Sequence, residues 1–553
     1  MKLPITDLTN NLMFTSSGTV WATWRIDGQA YGHAPTKKKF LIKKLHEEFL
    51  QSLSGEVLLS GITANVDPAS VAEAMLKGLE MEDVPRWCEE VGETLDQLEN
   101  MELGVRTYWL SVPLKMSDPK DAFKRHLATG LSFISERLGL PRMAPHPELV
   151  EASFRSAQRV QGVLPSALKA RPATPAEIVW LALHHQQRGL SLDDLTPGDG
   201  VDGTLGSEQS TSSYRVIDPF LDAGAQTDDP EVNTDRIFER RYLKVAANDE
   251  PSYQCLQVVS AMPTGGFRFP GGEWMAAIDQ MPFAVDWVWR MRITSARAAK
   301  QENAKNESRL SDQYNQRTDT GITGSQSELD IHAQDLHQFQ QDLGRSEREV
   351  KVQVTPIFVV AAPSAFEVRE RAKQLKEFFT SMEVALYAPL PALQEELWWS
   401  MQIGVPALPL MREFEHETTS YHLAGAIPLA SNRLGAEKGL LLGFNITGGL
   451  PAAVLADIEG TLMGDRSGSF AICAELGAGK TATVKTITGH IVDRGARFVA
   501  IDRSSTREWE FFGKSITDCV TVDVTAPEYS LDPLRVFGPE IGASHVESLV
   551  AML

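Results

Sequence analysis

The sequence predicts an α/β protein, and three observations carry that reading. Apolar runs alternating with period two recur along the chain: GTVWATWRI at 18–26, VDWVWRMRI at 285–293 and VKVQVTPIFVVA at 350–361. Stretches with apolar residues at helical spacing stand among them, such as Ala365 to Phe379. Near the C-terminus an apolar run, a small-residue loop and a helix-compatible run follow one another, from Gly468 to Thr488.

The chain has 553 residues, enough for about three or four domains. Hydrophobic residues at 42% and charged residues at 23% exclude wholesale disorder and collagen-like sequence. A net charge of −20 disfavours non-specific coating of DNA, which needs many cations facing phosphates. Cys88, Cys255, Cys473 and Cys519 are far apart, without a CxxC pair, so they read as buried reduced thiols rather than zinc ligands. No uninterrupted apolar run reaches membrane-spanning length, and the N-terminus lacks a signal-peptide core.

In chain order, residues 1–190 read as a first α/β domain. It contains a lysine-rich segment with Phe40, Leu41, Leu45 and Phe49 at helical spacing. Its basic side reads first as a solvated helix face, and otherwise as a dock for a membrane surface or a partner. Tyr108 to Leu114 is strand-like and Pro119 to Leu138 helix-like. Residues 191–235 hold eleven acids and one basic residue, Arg215, and read as an acidic linker or loop. Residues 236–400 form a second α/β part. Within it, 296–348 is predicted to be a helical hairpin turning at Gly321 and Gly324, with Leu329, Leu336 and Leu343 repeating every seven. Residues 401–553 form the last domain.

The chemistry lies in GSFAICAELGAGKTATVKTIT, Gly468 to Thr488. Ser469 to Cys473 suits a buried strand, Ala474 to Gly479 is a small-residue turn, and a helix follows Lys480 and Thr481. This is the layout of a phosphate-binding P-loop. The loop has to wrap around phosphate oxygens with its amides pointing inward, and glycines leave the backbone free to do so. The helix start adds unpaired donors and a favourable dipole. The nucleotide-binding residues are therefore Ala474, Glu475, Leu476, Gly477, Ala478, Gly479, Lys480, Thr481 and Ala482. Lys480 is expected to reach the β- and γ-phosphates of ATP, and the Thr481 hydroxyl to ligate Mg²⁺. Ala474 stands where the pattern GxxxxGK[ST] has its first glycine.

Two further strands are expected, Ala496 to Ile501 and Cys519 to Val524. Asp502 ends the first of these, as a cap of the following helical turn, or else as a contact to ribose or to a partner subunit. None of Glu528, Asp532, Glu540 and Glu547 follows four consecutive apolar residues, so no Walker B acid is found. The domain thus reads as incomplete at its C-terminus, and the chain as a fragment. The twelve histidines show no HExxH spacing, and the adjacent His184 and His185 are not expected to face one site. Trp287/Trp289 and Trp398/Trp399 read as core or interface rather than as base-stacking platforms.

The C-terminal third resembles the TraC-like conjugative ATPases of type IV secretion systems. The likeness rests on MQIGVPALPL (Met401 to Leu410), TTSYHLAGAIPL (Thr418 to Leu429) and LLLGFNITGGLPAAVLAD (Leu440 to Asp457). It continues through the P-loop, FVAIDRSSTREWEFF (Phe498 to Phe512) and YSLDPLRVF (Tyr529 to Phe537). The resemblance implies a RecA-like P-loop NTPase domain, truncated here, behind a mixed α/β N-terminal region with a helical-hairpin insertion. It implies a cytoplasmic, often hexameric ATPase at the inner face of a secretion channel, with channel or coupling proteins as partners. Nucleic acid would be met only indirectly, and association with the membrane would be peripheral. Lys480 and Thr481 carry over directly, whereas the family's Walker B acid, catalytic Glu and trans-acting Arg have no match. Two alternatives stand beside this reading: a DNA-translocating coupling-type ATPase, and a nucleotide-gated scaffold that does not hydrolyse.

Overall fold

The alternating runs do form strands, and strands from both expected N-terminal parts join one sheet. The computed structural model describes residues 3–32, 34–114, 145–190, 219–224, 240–246, 250–263, 267–303, 326–431, 433–447, 449–463, 469, 471–475, 477–502, 506–523 and 532–552. By internal packing the chain divides into two units. One holds Met1–Val71, Gln97–Ala436 and Gly443–Val454; the other holds Ala72–Asp96, Glu437–Leu442 and Leu455–Leu553. Residues 401–436, grouped by the sequence with the P-loop, thus belong to the first unit.

Among the described residues the first unit is built on a sheet of 13 strands. Its strands are β1 (Ile5–Thr9), β2 (Leu12–Thr15), β3 (Val20–Ile26), β5 (Gly55–Asn65), β6 (Gly104–Pro113), β7 (Arg171–Pro172) and β8 (Phe220–Asp222). They continue with β9 (Leu243–Ala246), β10 (Ser252–Ala261), β11 (Asp286–Ser295), β12 (Val350–Ala362), β13 (Ala385–Tyr387) and β14 (His416–Thr419). The order along the main path is β1-β2-β3-β6-β5-β11-β12-β10-β9-β8. A short β4 (Gln29–Ala30) pairs apart, parallel to Ala430–Ser431.

The division into 1–190 and 236–400 does not survive in this unit. Strand β5 pairs antiparallel with β11, Trp289 opposite Leu59, so both parts share one sheet. The apolar pattern announces strands but not their partners, and the pairing of distant segments is a tertiary choice. The expected acidic linker likewise contributes β8, paired with β9; its residues 191–218 lie outside the described residues. The helix expected at Pro119 to Leu138 also lies outside them.

Strand β12 pairs with β11 along its length, Trp287 opposite Phe358. On its other edge it pairs with β14 over Lys351 to Val354 and with β10 over Ile357 to Ala362. Pro356 sits between those two partners, where its missing N–H removes no ladder bond from that edge.

Successive residues on these strands enter opposite apolar layers, the signature of a sheet covered on both faces. Trp24, Trp287, Trp289 and Phe358 join one layer with helices α1 (Thr36–Ser52) and α6 (Ala365–Ser381), through Phe49 and Phe379. Leu58, Val288, Ile357 and Val359 join the other with α4 (Pro175–Gln187) and Pro391–Ser400, through Ile178 and Trp398. All four tryptophans of the two pairs are buried, as expected. Helix α6 begins at Ser364, whose hydroxyl accepts the Glu367 N–H at 3.2 Å.

The sheet's crossing tryptophans leave no room at Gly61, where a Cβ would fall inside the Trp287 indole. Gly61→Ala is therefore expected to cost about 1–3 kcal/mol by overpacking, read as a lower urea midpoint.

Between β11 and β12, residues 296–303 and α5 (Gln326–Leu343) are helical. Ala296, Ala299 and Leu343 are buried together with Phe339 against them. The expected turn at Gly321 and Gly324 lies outside the described residues.

The second unit contains most of α2 (Pro68–Leu76) and α3 (Pro85–Leu98), and α7 (Lys480–Asp493), α8 (Glu508–Ile516) and α9 (Pro533–Met552). The three runs expected as strands around the P-loop carry no ladder among the described residues. Val499, Ile501 and Val520 are 94%, 90% and 83% exposed. Alternation supplies strand propensity, but a strand exists only where a neighbour completes its hydrogen bonds. Among the described residues no helix is long and apolar enough to cross a membrane.

Candidate phosphate-binding site

The loop from Ala474 to Gly479 is shaped by its glycines. Gly477 and Gly479 have φ of +84° and +82°, left-handed values that strain any side chain. A Cβ on either would meet nothing within 4 Å, so the backbone there faces open space. The Ala478 N–H closes the turn on the Glu475 carbonyl at 3.3 Å. Gly479 is the N-cap of α7, whose first residue is Lys480.

The Lys480 ammonium bends back over the loop and donates to the carbonyls of Ala474 (2.5 Å) and Glu475 (2.7 Å). Ala474, Glu475, Thr481 and Ala482 are exposed beside it. Leu476 lies outside the described residues. The first N–H groups of a helix have no partner inside it, so the start of α7 offers donors and a positive dipole end to an anion. One cation, open glycine backbone and a helix start converge here. The set fits a nucleotide phosphate chain, with Lys480 as its cation and the Thr481 hydroxyl as an oxygen ligand suited to Mg²⁺.

The far half of α7 is held by residues from early in the chain, a contact no sequence pattern announces. Arg494 donates to the Met75 carbonyl at 3.1 Å and lies over the Trp87 ring, 5.4 Å from its centroid. His490 pairs with Glu90 at 3.3 Å. On the other side Lys485 reaches Glu508 of α8 at 3.4 Å. Asp502 accepts the Trp509 N–H at 3.3 Å, so its carboxylate caps the first turn of α8.

The first unit holds a second polar concentration, beneath a cavity of about 480 Å³. Asp286 lies at its floor and accepts from the Arg188 Nε at 2.7 Å and from the Thr63 N–H at 2.9 Å. His184 Nε2 is 2.7 Å from the same carboxylate. Arg188 also bonds Gln254 at 3.2 Å and the Nδ1 of His185. Their rings diverge: His184 lines the cavity and meets Asp286 directly, whereas His185 is buried and is joined to Asp286 only through Arg188, whose guanidinium bonds both. Burial alone pushes the Asp286 carboxyl up; His184, Arg188 and the Thr63 amide outweigh it and hold the group well below the carboxylate range. A legible signal was Asp286 itself, an acid inside an apolar strand pattern, which burial tolerates only when paired.

The cysteines depart from the uniform burial expected of them. Cys255 is buried, which pushes its thiol up to about 12, whereas Cys473 is exposed and Cys88 and Cys519 are half-buried. All four are free, and no group of metal-ligating residues occurs among the described residues.

The chain matches no protein-family model, and no curated protein matches it.

Proposed function

We propose that this protein binds Mg-ATP at Ala474 to Ala482 and is an ATPase that energises assembly of, or transfer through, a conjugative type IV secretion channel. The observation that supports nucleotide binding is the junction at Gly479. Two left-handed glycines open the backbone, and Lys480 stands at the start of α7 with only loop carbonyls as partners. Phosphate oxygens would replace those carbonyls around the ammonium, while the Thr481 hydroxyl would hold Mg²⁺. The secretion role, the RecA-like character of the domain and the hexamer rest on the order of motifs from Met401 to Phe537. Cytoplasmic placement at the inner membrane face rests on the same resemblance.

The test is calorimetric titration of the full chain with ATP, with and without Mg²⁺, followed by phosphate release. Saturable, Mg²⁺-strengthened binding is expected. No binding at millimolar ATP would remove the nucleotide reading. Binding without phosphate release would leave a nucleotide-gated scaffold in place of an ATPase.

A further inference from the structure

Helix α1 places its cations where a helix does not want them. Lys37, Lys38 and Lys39 occupy its beginning, with Pro35 as N-cap, no side-chain cap bond and no acid in the first turn. Cations at this end oppose the helix dipole, so helix stability does not account for them. Ile42, His46, Phe49 and Leu50 are the helix's buried residues. On the opposite side Lys37, Phe40, Leu41 and Lys44 recur at helical spacing. Phe40 and Leu41 are 50% and 61% exposed between the lysines.

The surroundings extend the same chemistry. Phe40 packs edge-on against Phe269 with centroids 5.2 Å apart. Lys43 lies 3.7 Å from the centre of the Tyr421 ring, and Arg345 lies 3.4 Å from it. The Arg345 hydrogen bond and the Lys43 charge hold the Tyr421 phenol below its ordinary range. The acids nearby are engaged: Glu48 with Lys44 at 3.9 Å, Glu47 with Gln51, and Glu273 with Tyr31. No ion pair involves Lys37, Lys38 or Lys39 among the described residues.

We infer that this face of α1 docks the protein on an anionic lipid bilayer, its lysines among the headgroups and Phe40 and Leu41 inserted at the acyl boundary. Charge complementarity selects the partner: a basic, apolar-centred face on a chain of net charge −20 is attracted to an acidic surface and not to a neutral one. The adjoining pair of large apolar side chains favours lipid over nucleic acid, since Leu41 has no π-face for a base. The inference is independent of nucleotide binding.

The test is flotation of the full chain with phosphatidylcholine vesicles, with and without about a third phosphatidylserine, at low and physiological salt. Binding is expected only to the anionic vesicles and is expected to weaken with salt. Lys37→Gln/Lys44→Gln should lower the partition coefficient about 25-fold, each lysine near an anionic surface being worth roughly fivefold. The change relieves the helix dipole at Lys37, so the thermal midpoint should not fall, which separates lost docking from lost folding. Phe40→Ser/Leu41→Ser should remove the binding that survives physiological salt. Lys373→Gln/Lys376→Gln, on exposed positions of α6, should bind as the parent does. The inference is overturned if the parent ignores anionic vesicles, if either α1 variant floats like the parent, or if the α6 control falls equally. It is also overturned if the α1 lysines prove necessary only for retarding duplex DNA.

Discussion

Asp286→Ala is expected to destabilise the first unit by about 3–5 kcal/mol, the largest stability effect we expect of any single change. The Arg188 guanidinium is buried and gives its Nε to Asp286. Without the carboxylate a buried cation keeps only neutral partners, Gln254 and His185. The Thr63 amide loses its acceptor as well. Urea unfolding followed by tryptophan fluorescence would read the loss, because Trp287 and Trp289 lie on the same strand. Arg188→Met added to Asp286→Ala should recover much of it, since removing both partners of a buried pair is far cheaper than removing one. If the single variant matched the parent, the pair would not be buried as described.

The same pair sets an acid limit. The Asp286 carboxyl is held below its unfolded value near ~4, so the unfolded chain binds the extra proton. Its contribution is complete above that pH and is lost as the pH falls below it. In Asp286→Ala this part of the acid dependence should disappear.

Lys480→Ala is expected to weaken Mg-ATP binding by about a hundredfold or more. The ammonium is to bond oxygens of two phosphates, and charged hydrogen bonds contribute about 1.5–3 kcal/mol each. Lys480 has no other role to lose, because its hydrogen-bond partners are the carbonyls of Ala474 and Glu475 on its own loop. The thermal midpoint without nucleotide should therefore stay put while the ATP-induced rise vanishes. Lys480→Met, which keeps the stem, should fail in the same way. An Ala variant that binds as tightly as the parent would show that phosphate sits elsewhere.

What the sequence by itself determined is local. Period-two alternation marked β3, β11 and β12, helical spacing marked α1 and α6, and the glycine–lysine–threonine turn marked the start of α7. Each depends on residues within a few positions of one another, so backbone preference and side-chain periodicity carry it. The loop's glycines belong to this class in so far as lacking a Cβ lets them take the left-handed φ without strain.

Tertiary structure decided the rest. The runs at 496–501 and 519–523 read as strands and form no ladder among the described residues, whereas β5 and β11, more than two hundred residues apart, pair with each other. Propensity states what a segment can do; pairing depends on which other segment is brought alongside, at a loop-closure cost no local pattern encodes. The same holds for the polar groups. Asp286 is an isolated acid in the sequence, and only the fold brings Arg188, His184 and Thr63 around it. Arg494 and Trp87 likewise meet only because α3 and the end of α7 share one unit. Burial makes these contacts strong, and burial is a property of the packed chain, not of any segment in it.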